Sequence, residues 1–152
     1  MLARRRRLLL VAVPGAVAFL AISFVVARFL TTESRERDAI YALVRAEARG
    51  DAGDVLGRLA ACDPRCSAKV RAFVPRLHAP TGDRGVKIAR LDSDTAYSLG
   101  TSEGWSRVVW VSDVDARPVV QCVRVRRTGA LTGRSVSLLR ITAPLADNAG
   151  SC

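Results

Sequence analysis

The sequence contains few of the residues that usually perform catalysis or bind metals. It has one histidine, His78, and four cysteines. A structural zinc site usually shows two close-spaced ligand pairs, often with histidine, whereas here Cys122 and Cys152 lie far apart. No serine stands in the Gly-x-Ser-x-Gly setting of a hydrolase nucleophile. The sequence therefore predicts no catalytic residue, no cofactor and no metal.

Acidic residues are also scarce. The chain has 14 Asp and Glu against 24 Lys and Arg, a formal net charge of +10. Five of these ten charges come from Arg4 to Arg7 and Arg28, which leaves about +5 for the rest of the chain. All but two basic residues are arginine, and this bias, with many Ala and Gly, is typical of a GC-rich bacterial genome. The charge does not require a nucleic-acid partner, and it suits a surface near anionic lipid headgroups.

One apolar run without any acidic residue, Leu8 to Leu30, directly follows Arg4-Arg5-Arg6-Arg7. At about 1.5 Å per residue, a helix of this length reaches roughly 34 Å, against a hydrocarbon core of about 30 Å. A basic block of this kind stays in the cytoplasm. The sequence therefore predicts a single-pass protein of the cell membrane. Its segments are a cytoplasmic basic segment (1–7), a transmembrane helix in the lipid bilayer (8–30), a juxtamembrane stalk (31–37) and an exported domain (38–152).

The alternative for the N-terminal run is a signal peptide that is cleaved from a secreted domain. Val25-Val26-Ala27 offers small residues at which a signal peptidase could cut. The apolar run is longer than the usual signal core of about 7 to 15 residues, which favours an uncleaved anchor. No cysteine follows the run directly, so a lipoprotein is not expected.

The four cysteines all lie on the expected exported side, where oxidising conditions favour two disulfides. Four cysteines allow three pairings, and we favour Cys62 with Cys66 and Cys122 with Cys152. Asp63 and Pro64 are typical of a helix N-cap and first helical residue, and one turn of chain brings Cys62 and Cys66 within bridging range. The second bridge ties the C-terminus to the sheet. A redox pair at Cys62 and Cys66 is the alternative, although its spacing differs from the common redox motif.

Hydrophobic periodicity divides the exported part into helices followed by strands. Ile40, Leu43 and Val44 share one face of a helix over 38–49, and two shorter helices are predicted over 51–61 and 64–77. After His78 the pattern alternates as in strands, predicted at 86–91, 95–99, 105–112, 118–127 and 134–142. This order predicts an α+β domain with about three helices packed on one face of a curved antiparallel sheet.

Four features occur in a characteristic order: Asp38-Ala39-Ile40 in the first helix, Gly50-Asp51 at its end, two short cysteine-bearing helices and a long meander. This order resembles the NTF2-like (cystatin-like cone) superfamily, and more narrowly its small membrane-anchored or secreted actinobacterial members. The resemblance covers about Asp38 to Thr142. It implies a curved sheet around helices with an open pocket. That superfamily includes ketosteroid isomerases, polyketide cyclases and many non-enzymatic binding modules, so the fold by itself does not select a function.

Two sets of side chains are candidates for ligand contact. Aromatic residues on neighbouring predicted strands are expected to line a pocket for an apolar ligand, or else form ordinary core: Tyr97, Trp105 and Trp110. Arginines on two paired strands are expected to form a basic stripe for anionic lipid or cell-wall polymer, or else a solvated sheet face: Arg124, Arg126, Arg127, Arg134 and Arg140.

An enzyme of the isomerase or cyclase type needs an acid or base that projects into the pocket from a strand. The predicted strands carry almost no acidic residue, and the Asp-x-Asp pairs at Asp92 and Asp94, and at Asp113 and Asp115, lie where turns are expected. His78 follows a helix end and is expected to be structural or solvated. We therefore favour a binding, scaffolding or assembly module of the bacterial cell envelope, with the pocket enzyme as the alternative.

Overall fold

The computed structural model describes residues 2–79, 85–96, 100–112, 117–129, 134–145 and 152. The helices of this part are α1 (Leu2–Ala48), α2 (Ala52–Gly57), α3 (Pro64–Phe73) and a 3₁₀ helix (Val74–Leu77). The strands are β1 (Lys87–Ser93), β2 (Thr101–Val111), β3 (Val119–Gly129) and β4 (Arg134–Ile141). They form one antiparallel sheet in the order β1-β2-β3-β4. The described chain is thus an α+β protein with four helices and a four-stranded meander.

The structure corrects the prediction of an N-terminal transmembrane helix over residues 8–30. Among the described residues, no helix combines the length and the apolar character needed to cross a membrane. The apolar run is one stretch of α1, which carries arginines before it and polar and charged residues after it. The predicted stalk, 31–37, is also helical and belongs to α1. The chain divides into two compact units, residues 1–34 and 35–152.

The first unit is notable for its exposed apolar side chains. Within the described part of α1, eight large apolar side chains between Val13 and Val26 are more than half exposed. Pro14 lies inside this helix. A contiguous apolar surface of this kind is typical of a contact with lipid or with another protein.

The core of the second unit forms between the end of α1 and one face of the sheet. Ile40, Leu43 and Val44 are fully or almost fully buried, as their helical spacing predicts. From the sheet, Val108 and Val123 contribute equally buried side chains. Alternate residues of β2 turn inward, so that Ser106, Val108 and Trp110 are buried while their neighbours are half-buried. The apolar face of α1 and the inward face of β2 are therefore buried against each other.

Local sequence signals set where the helices end and begin. Gly50 has a φ of +72°, and its N–H donates to Glu47 O at 2.8 Å, while Asp51 N donates to Ala46 O at 3.1 Å. These two hydrogen bonds close α1 in the manner of a Schellman motif, which favours glycine at the left-handed position. Asp51 then caps α2 by accepting a hydrogen bond from Asp54 N at 2.9 Å.

The strand predicted at 95–99 is wrong where the structure describes it. Thr95 and Ala96 lie outside the strands, and residues 97–99 are outside the described part. β1 instead continues through Ser93, beyond the turn that was expected at residue 92. The chain then crosses Gly104 of β2 so closely that a Cβ there would lie 2.6 Å from Thr95 Cα. Because this crossing needs a residue without a side chain, Gly104 sets the path of residues 94–96.

Both favoured disulfides are present, so these two pairings are confirmed. The Cα atoms of Cys62 and Cys66 are 5.2 Å apart, and those of Cys122 and Cys152 are 5.7 Å apart. Cys122 is almost completely buried on β3. Its carbonyl accepts a hydrogen bond from Thr142 N at 2.9 Å. The second bridge therefore holds Cys152 against the sheet.

A buried ion pair joins α1 to β3. Arg127 Nε donates to Glu36 Oε2 at 2.6 Å, and the two residues are only 5% and 2% exposed. Ser106 Oγ donates to Glu36 Oε1 at 2.6 Å. Arg127 also donates to Thr95 O at 3.0 Å and to Ser93 Oγ at 3.1 Å. Each charge is thus compensated by several hydrogen bonds, as burial of an ion pair requires.

Arg127→Met should destabilise the fold by about 3–5 kcal/mol, because it leaves the Glu36 carboxylate buried without its partner. Urea denaturation of the full chain measures this change. The double variant Glu36→Leu/Arg127→Met should recover most of the loss, since neither charge is then buried. Arg126→Met, at the exposed neighbouring position, is the matched control and should have a much smaller effect. An equal loss in the two single variants would contradict the prediction.

Candidate functional site

A groove of about 660 Å³ lies between α3 and the sheet of the second unit. Arg65 and Lys69 of α3 and Arg76 of the 3₁₀ helix line it on one side. Trp105 of β2 and Arg140 of β4 line it from the sheet. We refer to it as the α3 groove.

The sequence of α3 explains why these side chains face the groove. Arg65 and Lys69 are four residues apart and lie on one helix face, next to the inward face that contains Val70. Asp63 fixes the start of the helix, because its side chain accepts a hydrogen bond from Cys66 N at 2.8 Å. Pro64 follows at the first helical position, and the Cys62–Cys66 bridge encloses this turn.

The groove has a strong excess of positive charge. Its described lining includes four cations, Arg65, Lys69, Arg76 and Arg140, against the single carboxylate of Asp63. Arg140 Nη2 donates to Asp63 Oδ2 at 3.0 Å. The backbone N–H of Cys66 and the nearby Arg140 guanidinium hold the pKa of Asp63 below its ordinary value. The one acidic group is therefore ionised and already has partners.

Lys69 and Arg76 are the groove cations for which the described part of the chain offers no partner. Neither side chain makes a hydrogen bond or an ion pair with any residue that the structure describes. Several other surface arginines do form ion pairs: Arg58 with Asp54 at 3.0 Å and Arg90 with Asp92 at 2.6 Å are examples. The unpaired charge is thus located beside a concavity, where a ligand can reach it.

Strand register brings one predicted aromatic residue together with two predicted arginines. Trp105 of β2 pairs with Arg124 of β3, which pairs with Arg140 of β4. The Arg124 guanidinium lies 5.9 Å from the centroid of the Trp105 ring, a cation–π contact. The half-buried indole therefore has a cation on the sheet side and also lines the α3 groove.

The predicted aromatic pocket does not form from its three residues. Trp110 is only 2% exposed and points into the core, where its Nε1 donates to Gln121 Oε1 at 2.9 Å. It differs from Trp105 by an odd number of positions along one strand, so the two rings lie on opposite faces of the sheet. Tyr97 lies outside the described residues. Within the described part, only Trp105 of the three lines the groove.

The arginines of the predicted basic stripe do not form one surface. Arg124 and Arg126 both bind Glu103 on the neighbouring strand, at 3.0 and 2.7 Å. The hydrogen bond from Arg126 lowers the pKa of Glu103, which is thus ionised and offsets part of the charge. Arg127 points inward to Glu36. Arg134 belongs to β4, but its side chain is outside the described residues.

The remaining candidates have local structural roles where the structure describes them. His78 Nδ1 lies 3.0 Å from Arg49 O, close to the end of α1. Asp113 and Asp115 are outside the described part, as are the side chains of Arg4 to Arg7, so the topology prediction stays a prediction. Within the described residues, no three His, Cys, Asp or Glu side chains form a group that could hold a metal ion.

A second buried carboxyl group, Glu47, lies behind the groove. Gln121 Nε2 donates to Glu47 Oε1 at 2.9 Å and to Thr142 O at 3.3 Å. Thr142 in turn lines the α3 groove. Burial raises the pKa of Glu47 to about 8, against a smaller lowering by the Gln121 hydrogen bond. Glu47 Oε2 has no hydrogen-bond partner among the described residues, so the buried carboxyl group is more stable in its neutral form.

Sequence reasoning missed both buried glutamates, although a signal was present. Glu36, Ile40, Leu43 and Glu47 follow the helical spacing of the apolar stripe, which places both carboxyl groups on the buried face. The groove cations were missed as well. Their signal was four basic residues, Arg65, Lys69, Arg71 and Arg76, in a segment with one acidic residue, Asp63.

Comparison with known protein families, with characterised proteins and with solved structures finds no match to this chain. The resemblance to the NTF2-like superfamily therefore stays a prediction.

The raised pKa of Glu47 predicts a specific pH dependence of stability. From the ordinary pKa of 4.5 up to about 8, the native state holds a proton that the unfolded state has lost. The free energy of unfolding should therefore fall as pH rises through this range. Glu47→Gln keeps the neutral form at every pH, so it should stabilise the chain by a few kcal/mol at pH 8 and little at pH 5.

Urea denaturation between these two pH values measures the difference between Glu47→Gln and the natural chain. Glu33→Gln, which changes an exposed glutamate of the same helix, is the matched control. A difference for Glu47→Gln that stays constant with pH would show that Glu47 does not hold its proton in the native state.

Proposed function

We propose that the chain is an extracytoplasmic binding module of the cell envelope whose α3 groove takes an anionic ligand. The observation that carries this proposal is a pair of cations, Lys69 and Arg76, that have no partner among the described residues and lie beside a concave surface that contains Trp105. A concave site lined by one sign of charge concentrates ligands of the opposite sign. An aromatic side chain with a few well-placed polar groups is typical of a ligand site.

The disulfides support a location outside the cytoplasm. Disulfide bonds persist in oxidising compartments and are rare in the reducing cytoplasm. This chain uses all four of its cysteines in two bridges. One of the bridges encloses the turn that starts α3, so the shape of the groove is built on an oxidised pair.

A lipid surface is the neighbour that we propose for the first unit. The support is the set of large apolar side chains between Val13 and Val26, each more than half exposed. Exposed apolar surface of this extent is costly in water and is typical of an interaction site. Arginines precede this segment in the chain, and anionic headgroups attract such basic residues.

The pocket enzyme is the second candidate, and Glu47 is the observation that favours it. A carboxylic acid with a pKa near 8 has the protonation that general-acid chemistry uses. Its side chain, however, is fully buried and does not line the α3 groove. Gln121 and Thr142 lie between this carboxyl group and the groove. A group that cannot touch a bound ligand is a poor acid catalyst, so we favour the binding module.

Titration of the full chain with inorganic phosphate tests the anion site. The indole N–H signals of the two tryptophans report on it by NMR. We expect the Trp105 signal to shift and saturate, because Trp105 lines the groove, while the buried Trp110 signal stays in place. Lys69→Gln/Arg76→Gln should weaken binding at least about tenfold, as expected for lost charged hydrogen bonds.

Arg71→Gln provides the matched control, because Arg71 is exposed on the same helix but does not line the groove. It should leave the phosphate titration unchanged. If Trp105 does not respond, or if Arg71→Gln weakens binding as much as the groove variant, the proposed anion site is wrong.

A C-terminal fusion to alkaline phosphatase tests the location, because this reporter folds only where its own disulfides can form. We expect an active reporter in bacterial cells, and the pairs Cys62–Cys66 and Cys122–Cys152 in non-reducing peptide maps of the same protein. An inactive reporter on a well-expressed fusion, with four free thiols in the map, would place the domain in the cytoplasm.

A further inference from the structure

We infer that the ligand of the α3 groove is an anionic amphiphile, a single molecule with an acidic head group and a hydrocarbon body. This inference rests on the proposed function, because it names the chemical class of the anion that the groove would take. The two features that carry it are an apolar floor and cations at the edge of that floor.

The floor of the groove is formed mainly by hydrocarbon and aromatic side chains. Phe73 of α3 and Ile141 of β4 reach it from the core, each with 8% exposed surface. Trp105 contributes its indole, and two small exposed residues, Ala72 and Ala143, complete the apolar lining. Such a surface gains free energy by contact with a hydrocarbon chain, because that contact removes apolar area from water.

The floor offers little to a saccharide or to another ligand rich in hydroxyl groups. Sugar hydroxyls need acceptors as well as donors, and they cost free energy when they are buried without them. The Asp63 carboxylate already accepts hydrogen bonds from Cys66 N and Arg140. The Thr142 hydroxyl accepts one from Cys122 N at 2.9 Å. The described lining thus has cations and apolar atoms in excess, but few open acceptors.

The exposed cations on the helical side of the groove can bind the acidic head group of a ligand. Lys69 and Arg76 are exposed, at positions seven residues apart on the helical side of the groove. Lys69 of α3 and Arg76 of the 3₁₀ helix both line the groove together with Ala72 of α3. A phosphate or carboxylate can bind at this edge while the hydrocarbon body lies across Ala72 towards Trp105. Charge complementarity therefore selects an acidic head, and the floor selects an apolar body.

The experiment compares three probes on the full chain, with a non-ionic amphipol covering the exposed residues 13–27. The probes are octyl phosphate, inorganic phosphate and octanol, and the Trp105 indole signal reports binding. We expect octyl phosphate to bind at least about tenfold more tightly than inorganic phosphate, because each buried methylene adds to the affinity. Octanol should bind at least about tenfold more weakly than octyl phosphate, since it lacks the charge.

Two variants distinguish the contribution of the acidic head group to binding from that of the hydrocarbon body. Lys69→Gln/Arg76→Gln should weaken octyl phosphate and inorganic phosphate alike. Ala72→Gln places a polar side chain in the floor and should weaken octyl phosphate several-fold, while the affinity for inorganic phosphate stays the same. Ala68→Gln is the matched control for the second variant, since Ala68 is exposed on α3 and does not line the groove.

The outcomes distinguish this inference from the proposed function. Equal affinities for octyl phosphate and inorganic phosphate would overturn the amphiphile and keep the anion site. Equal affinities for octyl phosphate and octanol would overturn it in favour of a purely apolar site. If neither phosphate binds in the groove, both proposals fall. If the chain binds phosphatidylglycerol vesicles through Lys69 and Arg76 but does not bind octyl phosphate, the occupant is a membrane surface and not a single amphiphile.

Discussion

The second unit depends on covering one face of α1. Residues 35–48 present a stripe of apolar side chains that is too large for a solvated helix, and this stripe has a glutamate near each end. A sheet that covers the stripe must also satisfy the two carboxyl groups, because buried polar atoms without partners are costly. The chain meets this demand in two different ways. Glu36 accepts hydrogen bonds from an arginine and from a hydroxyl group, whereas Glu47 accepts one from an amide and keeps its proton.

The groove is a consequence of how the short helices return to this sheet. Asp63, Pro64 and the Cys62–Cys66 bridge fix the first turn of α3, and Arg140 of β4 binds Asp63. That ion pair connects the start of α3 to the sheet, while Phe73 connects its end to the core. Among the described residues, the α3 groove lies between these two attachments. Cations on the helix therefore border an apolar concavity.

Local signals allowed part of this structure to be predicted from the sequence. The periodicity of Ile40, Leu43 and Val44 gave the buried face of α1, and the Asp63-Pro64 cap inside the first cysteine pair indicated the bridge that is present. These features depend on neighbours within one or two turns of chain. Prediction failed for Thr95 and Ala96, the described part of the strand expected at 95–99, where the backbone passes closely over Gly104 and lies outside the sheet. That contact is not local, and β-propensity does not reveal it.

Contacts between distant parts of the chain, including those that form the candidate site, were less predictable, because the sequence near one residue does not specify its partner. Glu36 and Arg127 are 91 positions apart, and nothing near either residue specifies the other. Alternation along β3 does place Arg127 on the face opposite Arg126, and grouping both in one basic stripe overlooked this. The groove requires the register of three strands, which sets Trp105, Arg124 and Arg140 in one row. Register depends on the assembled sheet, so single positions in the sequence could not indicate the groove.

Gly104 of β2 links the path of residues 94–96 to the buried ion pair. The backbone that passes over it carries the Thr95 carbonyl, and this oxygen is one of the groups that hold Arg127 in place. A single methyl group at position 104 would push against Thr95 Cα and draw that carbonyl away from the guanidinium. The mutational tolerance of β2 is therefore uneven. At Gly104, any added side chain would disturb the contact between Thr95 and Arg127.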